Sequence, residues 1–415
     1  MSRLVRRSHT PRWPVLLALI VIALAAGASP GAAGAKPAKA KAKAKAPGPV
    51  PQGFVGVDAD GPLWDGASGI NPNQQLSRMV ASGVQSLRVA FSWAAAQPYA
   101  TAAAVPAADS SQFTEIGGVP TDFAASDAIV AAAARHRLSI LPTVLYAPSW
   151  DARRNTNPQG GIPQPNTDGP YAAYLTALIH RYGPRGSFWA QNPSIPRMPI
   201  REWQIWNEPD VPAYWNPPFA RTYVGLLRAA HTAVRRADPG AKVVLGALTG
   251  YAWSGLRQIY RIKGARGLFD VVSVDAYTKQ PANVIRFLQF MRGVMDQHGD
   301  RTKPLLATEL SWPSSVGQGQ VHYDFDTTPA GQARNLATLL PLLNRNRTAL
   351  GLAGFDWYTW IGDESRGASD FNFSGLLKLH NGVVTAKPAL AVFRRGALKL
   401  EGCRAKGAVA TRCIH

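Results

Sequence analysis

Two glutamates stand at the ends of apolar runs, where a carboxylate is costly to leave without a partner or a use. Glu208 closes Glu202-Trp203-Gln204-Ile205-Trp206-Asn207-Glu208 ahead of Pro209-Asp210, and Glu309 closes Leu305-Leu306-Ala307-Thr308-Glu309 ahead of Leu310-Ser311-Trp312. Either one alone reads equally well as an ordinary strand-end acid, solvated or paired with a nearby arginine, or as a group with chemistry to do. Together they suit a specific chemistry, because two carboxyl groups facing each other across one cleft are what cleavage of a glycosidic bond requires. One must carry a proton for the leaving oxygen, and the other must be ionised to attack the anomeric carbon.

Bringing two such residues together is a matter of the elements that carry them. From Phe54 onward, short β-branched apolar runs alternate with amphipathic helical patterns, which is the signature of βα units around a parallel sheet. The runs predict strands at 54–58, 86–92, 138–146, 201–207, 242–247, 269–275, 304–309 and 353–360. Helices are predicted at 71–82, 122–137, 170–182, 219–237, 253–263, 282–298 and 329–346, with a last one at about 387–400. Eight repeats in this length match an α/β fold, a single (β/α)8 TIM barrel, whose catalytic residues project from the C-terminal ends of the strands. Glu208 and Glu309 fall at those ends on the fourth and seventh strands. A doubly wound open sheet is the competing fold, but segment 59–66 (ADGPLWDG) offers neither GxGxxG nor a P-loop after the first strand.

The chain has 415 residues, of which 46% are hydrophobic and only two are cysteines, so a disordered or disulfide-stapled miniprotein is excluded. Its 45 Lys+Arg against 25 Asp+Glu give a net charge of +20, but the charge is unevenly placed. Nine cations and no acid lie in residues 1–50, and 394–415 carry a further +5, which leaves +6 for the long stretch between. Four arginines, an apolar run at 15–27 and the small residues Ala33-Gly34-Ala35 resemble an export signal, cleaved in preference to anchoring. A Lys/Ala/Pro stretch follows, whose like charges and prolines keep it extended. The predicted division is therefore a signal peptide (1–35), a disordered linker (36–52), the barrel (53–400) and a C-terminal tail (401–415) with a Cys403–Cys413 disulfide suited to an exported protein. The eight histidines form no HExxH or His/Cys cluster and no serine sits in GxSxG, so neither a metal or cofactor nor an α/β-hydrolase is expected.

The motifs also carry a resemblance. Asn207-Glu208-Pro209 after Trp-Gln-Ile-Trp, and Thr308-Glu309 followed by Trp312, resemble the signatures of the clan A glycoside hydrolases, and the WNEPD form is most similar to family 39 and its exopolysaccharide-hydrolase relatives. The resemblance runs from Phe54 to about Arg395 and includes Gly375-Leu376-Leu377, a hairpin-like His380-Asn381-Gly382 and Lys387-Pro388-Ala389 before the last helix. It implies that Glu208 is the general acid/base and Glu309 the nucleophile of a retaining mechanism. It further implies that Asn207 bonds the sugar 2-hydroxyl, that Arg88 and Tyr277 attend the nucleophile, and that Trp360 is the platform under the reactive sugar. One departure is Asp275-Ala276-Tyr277 where relatives often have His-x-Tyr; if Asp275 faces the cleft, it adds a third acid to the pair.

Several of the twelve tryptophans fall in loops after strands, namely Trp64, Trp93, Trp150, Trp215, Trp312 and Trp360, where indole faces could cover pyranose rings. Of these, Trp150 and Trp312 join Trp360 as candidate substrate contacts, and the long segments 94–121 and 148–169 could wall an extended groove. The reading is thus a secreted or envelope-associated, monomeric glycosidase acting on a polysaccharide or oligosaccharide, with an anionic cell-envelope polymer as a second partner through the Lys-rich linker. The alternative is a catalytically idle glycan-binding or adhesion protein. Nucleic acid is not an expected partner, since no reading motif is present. The choice between xylosidase-like and exopolysaccharide-hydrolase-like specificity, and between endo and exo action, stays open.

Overall fold

A computed structural model describes residues 50–318, 322–367 and 369–403. Eight parallel strands form the barrel: β1 (Val55–Asp58), β2 (Ser86–Ser92), β3 (Ser139–Leu145), β4 (Glu202–Asn207), β5 (Lys242–Ala247), β6 (Val272–Asp275), β7 (Leu305–Leu310) and β8 (Leu352–Trp357). Each is followed by a helix: α1 (Pro72–Val80), α2 (Ala124–Arg135), α3 (Asp168–Tyr182), α4 (Phe219–Ala237), α5 (Ala252–Tyr260), α6 (Pro281–Gln297), α7 (Pro329–Leu350) and α8 (Pro388–Leu400). Neighbours pair in sequence from β1 to β5 and from β6 through β8 back to β1. The ring closes between β5 and β6 through the parallel bridges Val244–Val271 and Leu248–Val274. This is the expected α/β TIM barrel.

The strands are buried along most of their length, as befits a parallel sheet covered by helices, and that is why they read as near-continuous apolar runs. Helix ends carry local signals: Asn71 caps α1 by accepting from the Gln74 N–H, and Thr328 caps α7 by accepting from the Gly331 N–H. Gly351, with φ 59°, then stops α7. The hairpin before α8 is present, pairing Leu377–His380 with Val383–Ala386 across Asn381 (φ 48°) and Gly382 (φ 78°), the left-handed pair that a tight hairpin turn demands. It joins Ile361–Asp363 in a small three-stranded sheet beside the mouth of the barrel.

The end of the eighth strand and the N-terminal edge of the barrel both differ from expectation. The eighth strand stops at Trp357, and the chain then turns so that the N–H of Trp360 and the hydroxyl of Thr359 both bond the carbonyl of Asp58 at the end of β1. At the N-terminal side, Val50 is buried and donates to the carbonyl of Leu400 at the end of α8, so the last residues of the expected linker already pack on the barrel. The expected signal peptide, the Lys-rich part of the linker and Cys413 lie outside the described residues. Cys403 is disulfide-bonded. Among the described residues, no helix is long and apolar enough to cross a membrane.

Candidate active site

The C-terminal ends of the strands open on a cleft of about 330 Å³ lined by Arg88, Asn207, Glu208, Tyr277 and Glu309 together with Asp60, Tyr146, Tyr214 and Tyr358. Strand alternation explains part of the lining: Arg88 and Ala90 on β2, and Thr143 and Leu145 on β3, are spaced by two and so share one face. Alternation alone would not put both Asn207 and Glu208 into the cleft. Positive φ values at Trp206 (67°) and Glu208 (40°) break the pleat and let two consecutive side chains face inward. Such left-handed backbone costs a non-glycine residue about 1 kcal/mol or more and concentrates at functional sites. On β7, Val274 pairs with Ala307 but Asp275 pairs with Glu309, so β7 holds one extra residue there, a bulge that re-aims Glu309.

Arg88 is the hub. Its Nη1 donates to Asp58 Oδ2 (2.7 Å) and to Glu309 Oε1 (2.6 Å), its Nη2 to Asn207 Oδ1 (2.5 Å) and its Nε to Gln204 Oε1 (2.8 Å). Burial works against the guanidinium charge, but Glu309, Asp275, Asp58 and Asp60 more than offset it, so its pKa lies well above the ordinary arginine value. The other carboxylate oxygen of Glu309 accepts from the Tyr277 hydroxyl at 2.5 Å. Burial, reinforced by the Glu309 charge, raises the Tyr277 phenol well above its usual value and keeps it a neutral donor. Both oxygens of Glu309 thus accept hydrogen bonds, one from Arg88 and one from Tyr277.

Glu208 is only 8% exposed and sits in the opposite environment. Burial pushes its pKa well above the usual glutamate value, the charge of Glu309 pushes further, and Asp210 adds to both, with Arg88 opposing. Two like carboxyl groups in one cleft thus sit in unlike surroundings, Glu309 bonded by Arg88 and Tyr277 and Glu208 raised by burial and by its acidic neighbours.

Beneath the cleft the barrel interior is polar. Thr143 Oγ1 also donates to Gln204 Oε1 (2.7 Å), and Gln204 Nε2 donates to Ser273 Oγ (2.8 Å), fixing the acceptor that orients Arg88. Asp275 belongs to this layer. It is fully buried, accepts from Thr308 Oγ1 (2.8 Å) and does not line the cleft, so it is not a third acid presented to substrate. Burial followed by the Glu309 charge raises its pKa well above the usual aspartate value.

The expected tryptophan contacts need correction. Trp360 is fully buried, with its Nε1 donating to Gln75 Oε1 on α1 (3.1 Å), because the chain turns away after Trp357. Trp312 is likewise buried and donates to the carbonyl of Thr278 (2.7 Å), and Trp150 donates to the carbonyl of Gln97 (2.7 Å). None of the three lines the cleft. Tyrosines do so instead: Tyr146 directly follows β3 and Tyr358 directly follows β8, the same strand-end rule that picked out the glutamates. The carbonyl or side-chain partner of each indole cannot be read from sequence, whereas the first residue past each strand can.

Glu208 directly after β4 and Glu309 in β7 thus meet at one end of a (β/α)8 barrel. Among solved structures, the chain is similar to a family 39 glycoside hydrolase from the gut symbiont Bacteroides cellulosilyticus (TM-score 0.57, 17% identity, 83% of this chain and 63% of that one). It is also similar to a monomeric beta-xylosidase from Caulobacter crescentus (TM-score 0.59, 17% identity, 84% and 69%). A third neighbour is the glycoside hydrolase family 53 catalytic domain of Ignisphaera aggregans (TM-score 0.54, 21% identity, 84% and 98%). At these identities the likeness is one of fold, and the chain spans less than two thirds of the length of the first of them. No protein-family model matches the chain, and no curated protein matches it in sequence.

Proposed function

We propose that the protein is an exported retaining glycoside hydrolase that cleaves O-glycosidic bonds of a polysaccharide or oligosaccharide. The observation that carries this is the contrast between two glutamates lining one cleft, Glu309 gripped by Arg88 and Tyr277 and Glu208 pushed toward its protonated form. In the first step, a Glu309 oxygen attacks the anomeric carbon while Glu208 gives its proton to the departing glycosidic oxygen. In the second, Glu208 takes a proton from a water that attacks the glycosyl ester and frees Glu309. Asn207, held by Arg88, is placed to bond the 2-hydroxyl as charge builds on the sugar ring. The tyrosines supply amphipathic walls for a pyranose. Titratable groups fitted to both steps favour turnover over an idle glycan-binding role.

The acid part makes a pH prediction. Glu208 is useful only while protonated, so kcat/KM should fall as pH rises through its raised pKa, giving an alkaline limb above the ordinary glutamate range. Asp210→Asn removes one of the charges that raise it and should move that limb toward acid, as measured by kcat/KM between pH 4 and about 9. A limb that stays in place in the variant would refute this electrostatic coupling.

Export and a monomeric state are part of the proposal. The arginines, apolar run and Ala33-Gly34-Ala35 direct secretion, and the Lys/Ala stretch holds the barrel at an anionic envelope polymer. N-terminal sequencing of protein from the culture medium should begin after Ala35; recovery only as uncleaved, membrane-bound chain would overturn the cleavage.

A further inference from the structure

Beside the cleft, the loop from β7 to α7 meets the loop from β8 to α8, and three side chains with no part in the mechanism converge there. His322 Nδ1 lies 3.2 Å from Asp326 Oδ2 and 3.3 Å from Asp370 Oδ1. One ligand-capable atom of each lies within 4.8 Å of the other two. A histidine between two acids could be a plain ion pair. Asp370 argues for more: it is fully buried, its Oδ2 accepts from the Tyr323 N–H (2.7 Å), and its Oδ1, 3.3 Å from His322 Nδ1, has no hydrogen-bond partner among the described residues. A desolvated carboxylate oxygen left without a partner is costly, and a cation relieves it.

We propose that His322, Asp326 and Asp370 bind one divalent transition-metal cation of the Zn2+ class and that it clamps the β7 and β8 loops together. An imidazole nitrogen among the ligands favours Zn2+ over Ca2+ or Mg2+, and two carboxylates neutralise its charge. The exposed side of His322 leaves room for water to complete the coordination. The clamp has a consequence for the cleft. Tyr323 stacks on Phe325 (5.2 Å between ring centroids), Phe325 stacks on Tyr277 (5.3 Å), and Phe371, next to Asp370, meets the Tyr277 ring edge-on (5.0 Å). The cation thus braces the aromatic wall around the tyrosine that bonds Glu309. The sequence held no sign of this site because its ligands come from two loops and make no contiguous motif. The proposal is independent of the glycosidase reading.

The test is calorimetric titration of the full chain, stripped with EDTA, with ZnCl2 and separately with CaCl2. Wild type is expected to bind one more Zn2+ than His322→Ala, with Ca2+ weaker, and to melt several degrees higher when Zn2+ is saturating, by roughly the mass-action shift. His322 is exposed, so its replacement leaves the fold intact; Asp370→Asn is the second variant and should also lose the site. The proposal is overturned if no site has a Kd below about 100 µM, if either variant binds as many Zn2+ as wild type, or if Ca2+ binds more tightly than Zn2+.

Discussion

Replacing Glu309 by Gln should lower kcat by about 10⁴-fold or more, since a residue that forms the covalent intermediate cannot be removed without losing the pathway it opens. The fold should survive the change. Gln keeps the volume, its carbonyl oxygen still accepts from Arg88, and Arg88 keeps Asp58, Asn207 and Gln204 as acceptors. The electrostatics should move in a definite direction. Glu309 is the largest charge raising Glu208, so Glu208 in the variant should titrate closer to an ordinary glutamate, as followed by NMR of the labelled carboxyl. Circular dichroism and thermal melting close to wild type, with activity lost, is the expected pattern. Wild-type turnover by the folded variant would remove Glu309 from the chemistry.

The second large effect is expected at Arg88. In Arg88→Met the one cation that bonds Asp58 and Glu309 disappears, and the acceptor atoms of Asn207 and Gln204 lose their donor. Removing one partner of a buried ion pair costs about 3–5 kcal/mol, a large share of a typical domain's 5–15 kcal/mol. That corresponds to a fall in melting temperature on the order of 10 °C. The loss should depend on pH. Without the guanidinium, the pKa of Asp58, already raised by burial, rises further in the folded state, so that state binds more protons than the unfolded chain. Stability then falls as pH rises above the ordinary carboxylate range, and the deficit against wild type is larger at pH 8 than at pH 5. Activity should fall about 100-fold or more, mainly in kcat, because Glu309 and Asn207 lose the donor that positions them. Arg88→Lys should be intermediate, since one ammonium cannot span four acceptors on three strands. An Arg88→Met variant as stable and active as wild type would show that the hub does not matter.

Much of the architecture was legible because the hydrophobic period changes from strand to helix eight times and every change marks a βα unit. The glutamates, Asn207, Arg88 and Tyr277 were legible for a related reason: strand ends in a barrel converge, so polar residues there meet across a cleft. What could not be read were features that depend on a break in the period. The left-handed residues at Trp206 and Glu208, and the extra residue in β7, alter which way neighbouring side chains point without changing their composition. The tryptophans failed for a different reason. A large aromatic after a strand is equally suited to a wall or to the core, and the choice was made by hydrogen-bond partners such as Gln75 and the Thr278 carbonyl that lie far off in the chain. The polar layer of Thr143, Gln204 and Ser273 escaped notice because each residue sits singly within an apolar run, and only closure of the barrel brings them together.

The most direct measurement is NMR of the first-formed product during hydrolysis of a panel of xylans and bacterial exopolysaccharides by the wild-type protein. A double displacement through Glu309 must deliver the hemiacetal with the anomeric configuration of the substrate, before mutarotation mixes the two forms. Retention is the expected result, and a first product of inverted configuration, or folded protein that binds these glycans and turns over none of them, would contradict it.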